Sequence, residues 1–170
     1  MILKFRLAKP EQLSEIRSLF LKSMGYIANR MGFEQPSEAF SNMGDYQKDR
    51  NLYVLQEDGG KILAAAAMKE VENGLYIDFL AVRVDHQRTG LGRRMLAELE
   101  MLAESRELSH LRLHTPEVMD ELIRYYRTHG FAETHRAPPA HGRDQVNRVH
   151  FKKTVTLADH AMDPEHEHDR

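Results

Sequence analysis

The spacing of apolar residues along this chain changes period several times, and each change marks a boundary between elements. Leu3 to Ala8 alternates apolar with polar positions and predicts a short first strand. Pro10 follows, where a first helical position tolerates it, and Leu13, Ile16, Leu19 and Phe20 recur at helical spacing. That pattern fades near Met24-Gly25. The stretch from Tyr26 to Asp49 is less periodic and is punctuated by Gly32, Pro36 and Gly44, which predicts a loop and a short helix around Ser37 to Met43. Asn51 to Gln56 and Ile62 to Met68 read as strands on either side of Asp58-Gly59-Gly60. The second is a strand despite four alanines, because it is short and turn signals bracket it. Asn73-Gly74 is a two-residue hairpin signal of the primed type, so Ile62–Val71 and Leu75–Val84 should pair antiparallel. Leu75–Val84 is almost continuously apolar, as a strand covered on both faces would be.

Leu91, Met95, Leu96, Leu99, Leu102 and Ala103 then mark a helix with one apolar stripe, running to about Ser105. Leu108, Leu111 and Leu113 fall in a following strand. Thr115 reads as a helix cap with Pro116 in the first turn. That helix carries Val118, Leu122, Ile123, Tyr125 and Tyr126, and Gly130 stops it. Phe131–Arg136 and Arg148–Val155 are two more strands around a polar loop, Ala137 to Asn147. Residues 1–156 thus read as one domain; residues 157–170 are acidic, histidine-rich and aperiodic, the composition of a disordered tail. The predicted class is α/β (α+β): a mixed, mostly antiparallel sheet of about seven strands flanked by about four helices, with one right-handed crossover.

Composition narrows the chemistry by subtraction. The chain has 170 residues, 41% hydrophobic and 29% charged, with a formal net charge of −2. That balance argues against a general nucleic-acid partner, which needs a basic face. No apolar stretch reaches the roughly 18 residues of a membrane span, and the N-terminus lacks a secretory pattern, so a cytoplasmic protein without a membrane partner is expected. There is no cysteine, which excludes disulfides, thiolate zinc sites and a cysteine-acyl intermediate. No Gly-x-Ser-x-Gly elbow supplies a serine nucleophile either. A reaction without a covalent enzyme intermediate and without a metal is the expectation.

The segment with positive chemical content is Gln87-Arg88-Thr89-Gly90-Leu91-Gly92, a glycine-punctuated turn from an apolar strand into a helix. The first N–H groups of a helix lack internal partners and carry the positive end of its dipole. Glycines let that backbone approach an anion closely, so the turn reads as a pyrophosphate cradle. A dinucleotide fingerprint would need a third glycine where Met95 stands, and a Walker loop would need Gly-Lys-Ser/Thr where Arg93-Arg94 follow.

Three stretches together resemble the GNAT superfamily of N-acetyltransferases over roughly residues 3–155. They are Leu80-Ala81-Val82-Arg83-Val84 leading to Gln87–Gly92, Tyr125-Tyr126-Arg127-Thr128-His129-Gly130-Phe131, and the opening Phe5-Arg6-Leu7-Ala8. The resemblance implies acetyl-coenzyme A as cosubstrate. The backbone of Leu80 and Val82, with Val84 near the strand's end, would pair with the pantetheine arm. N–H groups of Gln87, Arg88, Thr89, Gly90, Leu91 and Gly92, extended by Arg93, would hold the pyrophosphate. Met119 stands where many members carry an asparagine that contacts coenzyme A. The implied activity is direct transfer of an acetyl group to a primary amine of a small-molecule acceptor, in a chain that family habit allows to be a homodimer. A coenzyme A-binding regulatory domain without turnover is the alternative, as is an acetyltransferase acting on a protein N-terminus or on aminoacyl-tRNA.

Acetyl transfer requires a donor to the oxyanion, a proton for the departing thiolate and a proton acceptor for the amine. A backbone N–H at Val82 or Leu80 suits the first. A thiol titrates at about 8.5 and tyrosine at about 10, so Tyr126, four residues before Gly130, is the candidate acid. Asp78 stands alone in the apolar fourth strand, where an unpaired carboxylate is costly. It would activate the amine through water, bind a cationic acceptor or satisfy a neighbour. Tyr76 shares its face and would line the acceptor site. His110 and His114 lie opposite Leu111 and Leu113 and read first as structural. Tyr26, Asn29, Arg30 and Phe33 would shape one wall for the acceptor, and Arg136, His141 and Arg143 the other.

Overall fold

A computed structural model describes residues 2–32 and 38–155. Phe33, the start of the helix expected around Ser37, and the 157–170 tail lie outside the described residues. The strands are β1 (Leu3–Leu7), β2 (Leu52–Glu57), β3 (Ile62–Val71), β4 (Gly74–Val82), β5 (His110–Pro116), β6 (Ala132–Ala137) and β7 (Arg148–Thr154). The helices are α1 (Leu13–Arg30), α2 (Met43–Lys48), α3 (Leu91–Ser105) and α4 (Asp120–Thr128). The strands form one sheet in the order β1-β2-β3-β4-β5-β7-β6. Each neighbouring pair is antiparallel except β4–β5, the two strands joined through α3.

Both faces of the sheet's middle are covered. On one, Ala64, Ala66 and Met68 of β3 and Leu75 and Ile77 of β4 pack with Met95 and Leu99 of α3 and Ile123 of α4. On the other, Ala65, Ala67 and Ala81 meet Ile16 and Phe20 of α1 and Met43 of α2. This explains the alanine run in β3: Ala64 to Ala67 are fully buried between two helical layers, and short side chains let both layers come close.

Five boundaries differ from the sequence expectation, each for a packing reason. Helix α1 does not stop at Gly25 but continues to Arg30. Its last turns bury Ser23 and Ala28, residues that leave no apolar signature. Tyr26, Asn29 and Arg30 are therefore on a rigid helix and not in a loop. The short second helix covers Met43–Lys48, after the predicted span, because Met43 anchors it at 2% exposure. Strand β4 ends at Val82, and Val84 lies in a single 3₁₀ turn, 59% exposed. Thr115 and Pro116 do not begin a helix. They end β5, paired with Val149 and Arg148, and α4 starts only at Asp120. Beyond Arg112, β5 has only β7 beside it, an edge position where proline's missing donor is tolerated.

The hairpin also closes one residue early. Val71 pairs with Gly74, so Glu72 and Asn73 form the turn, with Asn73 alone at positive φ of 60°. Gly74 belongs to the strand because a Cβ there would lie 2.3 Å from the His110 ring and 2.8 Å from its carbonyl. Gly74→Ala must push backbone β5 away from β4, and overpacking of this kind costs about 1–3 kcal/mol. Urea denaturation of the variant should show that loss with an unchanged m-value.

Candidate functional site

The site begins where β4 and β5 part. Their parallel pairing joins Gly74 to His110, Leu75 to Leu111 and Tyr76 to Arg112, and goes no further. Immediately beyond lies a bulge: Met68 pairs with Ile77 and Ala67 with Phe79, leaving Asp78 as the extra residue. A bulge increases local twist and bends its strand, which helps carry β4 away from β5. The remaining backbone of β4 then has β3 on one side and an open fork on the other. Arg83 N–H donates to Leu63 O at 2.8 Å. Successive residues of a ladder address opposite sides, so the polar groups of Ala81 and Arg83 face β3 and those of Leu80 and Val82 face the fork. The Val82 carbonyl is taken up by Ser23 Oγ (2.8 Å) and Gln87 Nε2 (3.2 Å). Its N–H and both groups of Leu80 remain directed at the fork. Ser23 was not singled out in the sequence, where a serine inside a helical pattern carries no signal.

At the mouth of the fork the chain makes the glycine turn. Arg88 (φ 63°) and Gly90 (φ 88°) are both left-handed, and Thr89 Oγ1 donates to His86 O. Asp85 accepts from His86 and Arg83, which hold its carboxyl down at about 2. Gly90 caps α3, so the N–H groups of Leu91, Gly92 and Arg93 begin the helix without helical acceptors. The two glycines serve different needs. Gly90 has open space around a notional Cβ and is favoured by its φ; at Gly92 a Cβ would lie 2.7 Å from the Tyr125 hydroxyl, which would have to move aside. Arg94 is committed to Glu98 (3.1 Å) and Leu3 O. Arg88 and Arg93 are exposed and take no part in the ion pairs of the described residues.

The two tyrosines of α4 divide. Tyr125 stands against Gly92 and lies tilted against His129. Tyr126 packs edge-on against Phe131 and near Phe151. Burial pushes its hydroxyl well above the ordinary value, helped by the hydroxyls of Tyr125 and Tyr26. Arg30 and Glu121 join the end of α1 to the start of α4 at 2.8 Å, and Tyr26 lies under the influence of both. Met119 is fully buried; it packs where a polar contact was conceivable.

On the sheet's other face, Asp78 is neither alone nor free. Its Oδ2 accepts from Tyr46 Oη at 2.7 Å and its Oδ1 lies 3.5 Å from Lys69 Nζ. Of the roles expected for it, satisfying neighbours is the one the geometry displays. Tyr46, unmarked in the sequence because α2 was misplaced, is raised by burial and by this carboxylate. Tyr76 is raised to about 12 by burial and by Asp78, against Arg112. Its hydroxyl meets His114 Nδ1 at 2.5 Å. His114 neighbours His150 (ring centroids 5.3 Å), which stacks on His135 at 4.3 Å. The loop carrying His141 reaches the same region and is pinned by Asp144, which receives both Arg148 nitrogens at 2.9 Å. His141 Nδ1 accepts from Arg143 N–H. Thus Tyr76, His114 and His141 gather on one side of the fork and Tyr26, Arg30 and Tyr126 on another. Arg136 is held by Glu133 and Glu117, and His110 sits at the start of β5 against Gly74, before the fork opens.

The sequence matches the Acetyltransferase (GNAT) family over residues 13–131, and the chain belongs to that family. No curated protein is matched by sequence. The fold is similar to the ribosomal-protein-S18-alanine N-acetyltransferase of Escherichia coli (TM-score 0.70, 20% identity, 91% of this chain and 95% of that one). It is likewise similar to Ard1 from Thermoplasma volcanium (0.70, 19%, 92% and 99%). A PaiA N-acetyltransferase from Thermoplasma acidophilum, solved with coenzyme A, superposes at 0.68 with 14% identity, covering 91% and 99%. Acetyl-coenzyme A is the family's cosubstrate, and the open edge of β4 leading to an uncapped helix start suits an extended thioester ending in a pyrophosphate. No helix of the described residues is long and apolar enough to cross a membrane.

Gly90→Ala puts a Cβ in the left-handed region, a strain of about 1–2 kcal/mol. If the turn shifts to relieve it, coenzyme A affinity should fall about tenfold. Isothermal titration against the parent protein measures this directly.

Proposed function

We propose that this protein transfers an acetyl group from acetyl-coenzyme A directly to a primary amine of a small-molecule acceptor. The observation that carries the reading is the fork itself: unpaired backbone of β4, a glycine cradle at its mouth and a tyrosine hydroxyl beside it. Tyr126 engages no partner among the hydrogen bonds of the described residues, which suits a group meant for a ligand. With the thioester in the fork, the N–H of Leu80 or Val82 donates to the developing oxyanion, where a fixed donor gives the largest electrostatic benefit. Tyr126 protonates the departing thiolate. Its raised pKa keeps it protonated until that step, and the proton is regained from solvent afterwards.

A small acceptor is favoured by two ties that limit the approach. The Arg30–Glu121 pair links α1 to α4 beside Tyr26, and the Asp144–Arg148 pair holds down the β6–β7 loop with His141. Asp78 serves here as a positioning residue, setting Tyr46 and Lys69 along the acceptor's path. The absence of cysteine agrees with transfer without an acyl-enzyme.

Thiol release from acetyl-coenzyme A, measured against small primary amines, peptides with free N-termini and aminoacyl-tRNA, tests the reading. Small amines should turn over fastest; a preference for peptides or tRNA would transfer the assignment to those acceptors, and tight coenzyme A binding without release would make the chain a regulatory domain. Tyr126→Phe should lower kcat by about 10²–10⁴-fold, the range for a general acid, with coenzyme A affinity unchanged by titration calorimetry.

A further inference from the structure

We propose that Tyr76 and His114 form a proton relay that takes the proton from the acceptor nitrogen, an inference that rests on the transfer reading above. The two residues flank the point where the sheet opens. Tyr76 is in the last paired position of β4, and His114 is two residues past Arg112, its pairing partner on β5. Their hydrogen bond crosses the base of the fork and is exposed, not sealed in the core. Asp78, the carboxylate beside them, has both oxygens engaged by Tyr46 and Lys69. Tyr126 belongs to the cluster on the opposite face of the sheet, with α3 and α4. The fork therefore has a proton donor on the face where α4 packs and a hydrogen-bonded phenol–imidazole pair on the other.

The step balances as follows. The amine lone pair forms a bond to the carbonyl carbon, and the carbonyl π pair moves to oxygen, held by the β4 N–H. The nitrogen, now positively charged and acidic, passes a proton to Tyr76 Oη while the Tyr76 proton passes to His114 Nδ1. Collapse re-forms the carbonyl and breaks the C–S bond, and the thiolate takes the proton of Tyr126. His114 returns its proton to solvent. Only a neutral imidazole can accept in this way. Desolvation of the ring first, then the neighbouring His150, Arg148, Lys69 and His141, shift His114 below the ordinary histidine value, which favours the neutral, accepting form. The hydroxyl of Tyr76, raised by burial and Asp78 against Arg112, remains a donor toward Nδ1.

The test compares His114→Ala, Tyr76→Phe, the double variant and His135→Ala, with thiol release as readout and circular dichroism to check folding. His114→Ala should lower kcat about 10²-fold without changing the KM for acetyl-coenzyme A, and added imidazole should restore a large part of the rate. Tyr76→Phe should lose as much, without rescue by imidazole. The double variant should fall no further than either single one, since members of one relay are not additive. His135→Ala, at the far end of the stacked histidines, should stay within about twofold of the parent. If His114→Ala does not fold, His114→Gln takes its place in the same comparison. Parent turnover with an unaffected His114 variant overturns the relay alone, as does a loss that imidazole does not rescue or that deepens in the double variant. No thiol release from the parent on any amine overturns the transfer reading and the relay together.

Discussion

Parallel pairing between β4 and β5 that stops after three residues is the constraint on which the rest of the site depends. Interior strands normally satisfy their backbone on both sides, because an unpaired buried N–H or carbonyl is costly. Here the strands are tied at one end by the tight contact of Gly74 with His110 and pulled apart at the other by the bulge at Asp78. The resulting open edge is a row of donors and acceptors waiting for a strand-like partner. An extended ligand could complete the sheet along that edge.

The fork also divides the chemistry between the two faces of the sheet. Glycine turn, α3 and α4 stand on one side, which is where the proposed phosphate binding and thiolate protonation would take place. Tyr46, Tyr76, Asp78 and the histidines of β5, β6 and β7 stand on the other. On that second side both carboxylates near the opening are partnered: Asp78 with Tyr46 and Lys69, Asp144 with Arg148. Such pairing limits side-chain motion on that side, and the Tyr76–His114 contact is an exposed polar pair beside the divergence.

The legible features were those whose cause is local. Gly90 and Gly92 announced a turn before a helix; the structure separates their settings, a left-handed φ for one and close approach of the Tyr125 hydroxyl for the other. Tyr126 was marked by its distance from Gly130, and its hydroxyl has no hydrogen-bond partner among the described residues; its role as the acid is a proposal. The errors arose where a local signal competed with a distant contact. Gly25 suggested an end to α1, but Ser23 bonds to Val82 across 59 residues and Arg30 to Glu121 across 91, and these hold the helix together to its last turn. Thr115-Pro116 had the form of a helix start, yet pairing with β7 kept both residues in the strand.

By itself, then, the sequence determined most element types, the order of strands and helices and the glycine turn, because periodicity, turn chemistry and capping act over a few residues; the cosubstrate followed from the family resemblance that those motifs carry. The tertiary structure alone decided where β4 leaves β5, that Asp78 is the bulged residue and is already partnered, and that Tyr76 and His114, 38 positions apart, share a hydrogen bond. Those facts depend on register between strands and on side chains meeting across them, and neither leaves a pattern that neighbouring residues can display.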